Sequence, residues 1–368
     1  LRDTRYYNLD FLRGLFAVAV AIYHYEIDFL YPQGQTSEDL TFPAAYVAVD
    51  FFFVLSGFVL SLALNNTRLD LWQFVIRRLQ RLYPLVFLAL VTVTAILFLN
   101  DQMVPYGWLA FNGDNVWSLT TALLLLNGLG FGVVRFNYPD WSISTEMAAG
   151  LLLFLKMKYN SDAARVFAIF AAIIIYTNIA ATSGQIAAAF DYHQPLYGSI
   201  GLARGIAGIL IGSLIFDYLS NPNRVQVQHS IPRTALFTIA EVGVIWAIWV
   251  LITSLQQTKA DFTLVALVVI LVVLFVNGHG LVSRLLNNRY FGFFGSISYP
   301  LYLFHVPLLR FLFGPWLNQL FPFTSLPRAE QETLYLLLLV PAATLIHLLI
   351  ERPIMRWFKK RAPTPVNG

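Results

Sequence analysis

The chain has 368 residues, 58% of them hydrophobic and only 12% charged, with a mean hydropathy of +0.64. Soluble domains carry about 25% charged residues, and a water-soluble fold of this length lacks the polar cover for so much apolar surface, so the composition marks a polytopic membrane protein. The formal net charge of +4 is no nucleic-acid signature, because the basic residues follow topology, and the absence of cysteine excludes disulfides and thiolate metal sites.

A helix needs ~20 residues to cross the hydrocarbon. Apolar stretches near that length fall at 9–30, 44–65, 82–100, 141–157, 165–184, 200–218, 235–256, 262–278, 292–314 and 332–351. The first is too long for a cleavable signal peptide and has no small-residue cleavage site. The stretch 117–134 (WSLTTALLLLNGLGFGVV) is shorter and ends in glycines, so it reads as a span, a re-entrant segment or an interfacial helix. Lys and Arg decide between these. With a cytoplasmic N-terminus and 117–134 not crossing, outer loops hold only Arg135, Lys259 and Arg328, while inner loops hold Arg77, Arg78, Arg81, Lys156, Lys158, Arg284, Arg352 and most of the remainder. If 117–134 crossed, the bias would collapse. The positive-inside rule therefore predicts an all-α bundle of about ten transmembrane helices with both termini cytoplasmic. The expected organisation is one membrane domain over 1–355 and a short basic cytoplasmic tail over 356–368 ending in a disordered APTPVNG, with no internal repeat and no fused soluble domain.

Several helices carry ionisable groups at depth. Arg13 and His24 in LDFLRGLFAVAVAIYH are eleven residues apart, which places them on one helix face and roughly 16 Å apart along it. By the same rise, Asp50 lies about 9 Å below the outer helix end, Glu146 about 8 Å, and His305 about 13 Å, with Tyr302 a turn deeper. Intramembrane ionisable residues read as functional sites by default. The plainer readings are a buried histidine satisfying a neighbour, Asp50 paired with an arginine, and Glu146 an interfacial residue near Trp141; Tyr299 and Tyr302 read as packing or belt aromatics. Agreement in depth favours a site.

The stretch RRLQRLYP at 77–84 is a second constellation. Arg77, Arg78 and Arg81, at i+3 and i+4 spacing, converge on one ligand. Crowded guanidiniums suit a polyanion, whose oxygens they bind bidentately; the alternative is simple topological charge. An arginine layer at the inner face with a His/carboxylate layer further out fits a long ligand with phosphates at one end. Coenzyme A thioesters have that shape, so Arg13 would hold the phosphate end and His24 would face the acyl end.

These same residues carry a resemblance. LDFLRGLFAVAVAIYH, VAVDFFFVLSGF at 47–58, RRLQRLYP, WSISTE at 141–146, ISYPLYLFH at 297–305 and the terminal ERP at 351–353 occur in the order seen in membrane-bound acyltransferase family 3, which the chain resembles almost end to end. The resemblance implies ten core helices in the bacterial cytoplasmic (inner) membrane. It also implies transfer of an acyl group, usually acetyl, from cytoplasmic acyl-CoA to a hydroxyl of a cell-surface or lipid-linked glycan. Arg13 and His24 fit the family's Arg/His pair, Asp50 its acidic residue before FFVLSGF, Arg78 and Arg81 its Arg-x-x-Arg element, and Glu146 the residue closing its WSLSVE-like motif, where Ile143 and Thr145 replace the usual neighbours. Some members add a periplasmic hydrolase-like domain; this chain ends soon after ERP, so delivery would fall to the membrane domain or to a separate periplasmic partner.

The chemistry expected of such a site is proton abstraction from a weakly nucleophilic hydroxyl by His24, oriented by Asp50 or Glu146. Ser142, Ser144, Tyr302 and His305 are candidates for orienting the acceptor or polarising the thioester oxygen. No tightly bound cofactor and no metal is expected, only acetyl-CoA or another acyl-CoA as donor. A secondary transporter or glycolipid flippase is the competing class, but it predicts inverted repeats, and none is visible.

Overall fold

The computed structural model describes residues 5–30, 40–67, 69–103, 113–131, 136–159, 161–187, 199–221, 230–254 and 258–361; Arg2, Arg68, Arg135, Arg224 and the APTPVNG tail lie outside them. In lipid the backbone must satisfy its own polar groups, which leaves helices as the economical choice for these apolar runs. Among the described residues the helices are α1 (Tyr7–Tyr25), α2 (Ala48–Asn65), α3 (Leu71–Met103), α4 (Gly113–Leu123), α5 (Trp141–Lys158), α6 (Asp162–Thr182), α7 (Ile200–Ser220), α8 (Ile231–Ser254), α9 (Asp261–Asn277), α10 (Leu281–Leu286), α11 (Gly292–Leu312), α12 (Pro315–Leu320), α13 (Arg328–Ile346) and α14 (Arg352–Arg361), and no strand forms. Ser161 caps α6 by accepting from the Ala164 N–H, and Ser199 caps α7 by accepting from that of Leu202. Wider π turns follow α1 at Glu26–Leu30 and α13 at His347–Glu351. The latter joins α13 to α14, so residues 356–361 of the expected tail are helical.

Among the described residues six helical stretches are long and apolar enough to cross a membrane: Ala45–Asn65, Leu71–Asp101, Asp162–Thr182, Ile200–Ser220, Ile231–Ser254 and Arg328–Lys360. Of the other long helices, α9 is apolar but shorter, and α1, α5 and α11 carry most of the polar residues discussed below.

Contacts fix the helix directions. Tyr6 meets Phe58, Phe16 meets Phe51 and Tyr23 meets Tyr46, so α1 and α2 are antiparallel. Phe11 against Phe294, His24 against His305 and Phe29 against Phe313 make α1 and α11 parallel. Tyr299 bonds the Leu82 carbonyl and Asn100 that of Arg310, so α3 runs with them. Asp50 pairs with Arg204 and Gly57 abuts Ile209, aligning α2 with α7; Thr145 against Gly205 and Lys156 against Asp217 align α5 with α7. Helices α3 and α5 thus run in opposite directions, which leaves no room for a crossing between them. Consistent with this, α4 has 11 residues, about 16 Å of helix against ~30 Å of hydrocarbon. It ends at a left-handed Leu125 (φ 54°) before the short turn Asn127–Leu129. The stretch 117–134 therefore does not form one spanning helix.

The tightest seam joins α2 to α7. A Cβ on Gly57 would stand 2.1 Å from the Ile209 carbonyl oxygen, and one on Gly212 2.0 Å from that of Val54. Only glycine allows backbones so close, which is how small residues substitute for hydrophobic driving force between helices in lipid. Gly212→Leu should part the seam and cost ~3 kcal/mol or more, read as a lower melting temperature in detergent; a wild-type melting curve would mean that the helices are not in backbone contact.

Candidate active site

One cavity of about 260 Å³ connects several of the residues singled out by sequence. Its wide end is lined by Arg5, Asp10 and Arg13 of the α1 region, Arg78 and Arg81 of α3, and His347 and Glu351 of the second π turn. Further in come Ser56, Glu146, Ser298 and Tyr299, and the cavity closes at Val49, Phe52, Ser142 and Tyr302. The parallel packing of α1 and α11 explains the layout, because Arg13 and His24 on one helix stand beside successive turns of the other. At this basic end four guanidiniums face two carboxylates and one imidazole. Arg13 lies 3.5 Å from Asp10, Arg5 lies 2.7 Å from the same carboxylate, and Arg81 has no carboxylate within ion-pair distance among the described residues. Arg77 is exposed and does not line the cavity, so of the expected triplet only Arg78 and Arg81 reach it.

His24 sits beyond the closed end. Its Nδ1 lies 2.8 Å from His305 Nε2, with the rings near parallel and their centroids 5.0 Å apart. His305 Nδ1 lies 2.6 Å from the Tyr302 carbonyl oxygen. A carbonyl only accepts, so His305 Nδ1 carries the proton and, with both rings neutral, its Nε2 accepts from His24 Nδ1–H. That fixes the tautomers and leaves the lone pair of His24 on Nε2. His24 is half-buried, and Tyr138 packs edge-on against it with centroids 4.8 Å apart. Tyr302 stands between this pair and the cavity, its ring centroid 5.8 Å from that of His305. Its hydroxyl is 2.9 Å from Ser142 Oγ, and Ser142 donates to the Pro139 carbonyl.

Neither carboxylate expected to orient His24 does so. Asp50 is wholly buried and held by Arg204, whose Nη2 is 2.5 Å from Oδ2, while Tyr176 donates to Oδ1 at 3.1 Å. Arg204 also donates to the Ile186 and Tyr46 carbonyls. This network ties α2 to α7 and saturates Asp50. Glu146 accepts from Ser56 at 2.8 Å and faces Arg78 at 2.8 Å, within the cavity wall. The orienting partner of His24 is His305 instead. Ser144 is also withdrawn from the chemistry expected of it: its hydroxyl donates to the Leu125 carbonyl at 2.5 Å and accepts from the Gly128 N–H, fixing the turn after α4.

Arg5, Asp10, Ser56, His347 and Glu351 join the cavity without having been singled out for it. Glu351 bonds His347 Nδ1 at 2.7 Å, and the π turn that holds both is the kind of irregularity that recurs at functional sites. Among the described residues no cluster of His, Asp and Glu could hold a metal.

The Asp50 assignment can be separated by experiment. Asp50→Leu should lose about 3–5 kcal/mol by stranding Arg204 in the core, whereas Asp50→Leu with Arg204→Met should recover most of it. Activity should return with the fold; a folded but inactive double variant would put Asp50 back into the chemistry.

The acyltransferase domain of family 3 matches residues 6–352. The peptidoglycan O-acetyltransferase OatA of Listeria monocytogenes is 36% identical over 102 residues, 25% of this chain and 14% of the relative. Proteins carrying an O-acetyltransferase name in Staphylococcus aureus, in strains COL and N315 among others, are 22% identical over 347 residues, covering 86% of this chain and 52% of theirs. The chain thus spans about half the length of those staphylococcal relatives. No solved structure matches it. The match over nearly the whole length, together with the apolar helices, makes this an integral membrane protein that belongs to acyltransferase family 3.

Proposed function

We propose that the chain is a membrane O-acyltransferase that takes an acetyl group from acetyl-CoA at the cytoplasmic face and delivers it to a hydroxyl of a glycan on the far side. The observation that carries this reading is the single cavity that begins at an arginine cluster and ends one aromatic ring short of a polarised histidine pair. The reading takes ten spans with both termini in the cytoplasm, a topology supported by the directions of α1, α2, α3, α5, α7 and α11, which would turn the arginine end to the side where CoA is made. The O-acetyltransferase names of the relatives favour acetyl as the group moved.

In the mechanism, Arg13 and Arg81, with Arg5 beside them, grip the phosphates of the donor, and the pantetheine arm lies along Ser56, Glu146 and Tyr299. The acyl carbonyl comes to rest against Tyr302, and the acceptor hydroxyl approaches it from the His24 side of that ring. His24 Nε2 takes the proton of the attacking hydroxyl as the C–O bond forms and the C–S bond breaks, and the departing thiolate receives a proton in return. His305 spreads the positive charge and holds the His24 ring, a role filled elsewhere by a carboxylate. The Ser142 and Tyr302 hydroxyls stand where either could donate to the thioester oxygen as charge develops there.

His24→Ala should cut transfer by about 10²–10⁴-fold. His305→Ala should lose much of the same activity, and His305→Gln should restore part of it, since an amide oxygen also accepts from His24 Nδ1–H. Release of CoA from acetyl-CoA in the presence of cell-envelope glycan reads both, and full activity in His24→Ala would remove the base. Separately, Arg13→Ala with Arg81→Ala should weaken acetyl-CoA binding about tenfold or more, with a loss of salt dependence. Calorimetric titration measures it; an unchanged affinity would leave the phosphates without their proposed holder.

A further inference from the structure

The closed end of the cavity has a construction of its own. Phe52 and Tyr302 meet edge to face with centroids 5.7 Å apart, and Val49, Phe53 and Ile143 complete the floor with Ser142. Tyr302 is 6% exposed and anchored through Ser142. Phe52 leans on Phe51, centroids 5.6 Å apart, and Phe51 is wholly buried against Phe16. On the Phe52 side the floor is therefore backed by core, and on the Tyr302 side by the His305 ring, so a group pushed against it must displace packed rings.

The floor also lacks charge. No cation lines it, and the guanidinium closest along the cavity, Arg78, has its charge offset by Glu146, which lies four residues along α5 from Ser142. A carboxylate driven to this end would lose its water and gain no partner.

We infer that Phe52 and Tyr302 form an acyl gauge, selecting CoA thioesters with a short, uncharged acyl group and rejecting succinyl and longer chains. The inference rests on the donor reading of the cavity given above. Phe52 sets the depth available to the acyl tip from a fixed position on α2. Tyr302 closes the same depth from α11, where Pro300 and Pro307 bracket it.

The test uses the purified full chain in detergent and the displacement of labelled acetyl-CoA by unlabelled acetyl-, butyryl- and succinyl-CoA. The wild type should bind butyryl- and succinyl-CoA about tenfold or more weakly than acetyl-CoA, in line with the discrimination a filled apolar pocket gives. Phe52→Ala should raise the butyryl-to-acetyl affinity ratio about tenfold while succinyl-CoA stays weak. Phe52→Leu should give an intermediate ratio and serves if the alanine variant fails to fold. A wild type that ranks butyryl equal to acetyl, or a ratio that neither variant moves, overturns the gauge and leaves the donor site standing. Displacement by no CoA thioester at all overturns both.

Discussion

The parallel contact between α1 and α11 is what the remaining architecture serves. Two helices far apart in sequence run side by side in the same direction, so that Arg13 and Asp10 face Gly295 at one end and His24 meets His305 at the other. Antiparallel neighbours, such as α1 and α2, would have brought the basic end of one helix to the histidine end of the next. Parallel ones keep like depth with like depth, which is the geometry a ligand with two chemically different ends requires. The α3 helix, aligned with α11 through Tyr299 and Asn100, extends the basic end by bringing Arg78 and Arg81 to it.

Charge in an apolar medium sorts itself by how it is compensated. Arg204 and Asp50 are both buried and satisfy one another, with carbonyls and Tyr176 filling the remaining sites. Such a pair contributes specificity of packing more than net stability, and it pins α2 to α7 where glycines have already brought the backbones together. Arg78 is ion-paired with Glu146, although its Nε and Nη2 find no hydrogen-bond partner among the described residues. Arg81, by contrast, opens on the cavity with no carboxylate beside it among the described residues. The difference between Arg204, whose donors are filled from within the fold, and Arg81 is therefore visible in the partners, although both read alike in a hydrophobic stretch.

That difference marks the limit of what the chain discloses before it folds. The apolar runs, the non-crossing 117–134 stretch and the convergence of Arg13, Arg78 and Arg81 were legible because they follow from length, charge bias and helical spacing. The partner of His24 was not, since it depends on which of many helices packs against α1. Asp50 sits at nearly the same depth as Glu146, and depth alone could not say that Arg204 had claimed it. The true start of α3 at Leu71 was hidden because residues 71–81 are polar enough to break the apolar run without breaking the helix. His347 and Glu351 reach the cavity wall through a π turn, which neither apolar length nor helical spacing announces.

The Tyr302 barrier has a further consequence for any cell that houses this protein. A passage open at once to both aqueous phases would conduct protons and small ions and drain the electrochemical gradient across the bilayer. On the proposed function, an aromatic stopper seated between the basic vestibule and the imidazoles would let acyl groups be handed over in single steps while the membrane stays electrically tight.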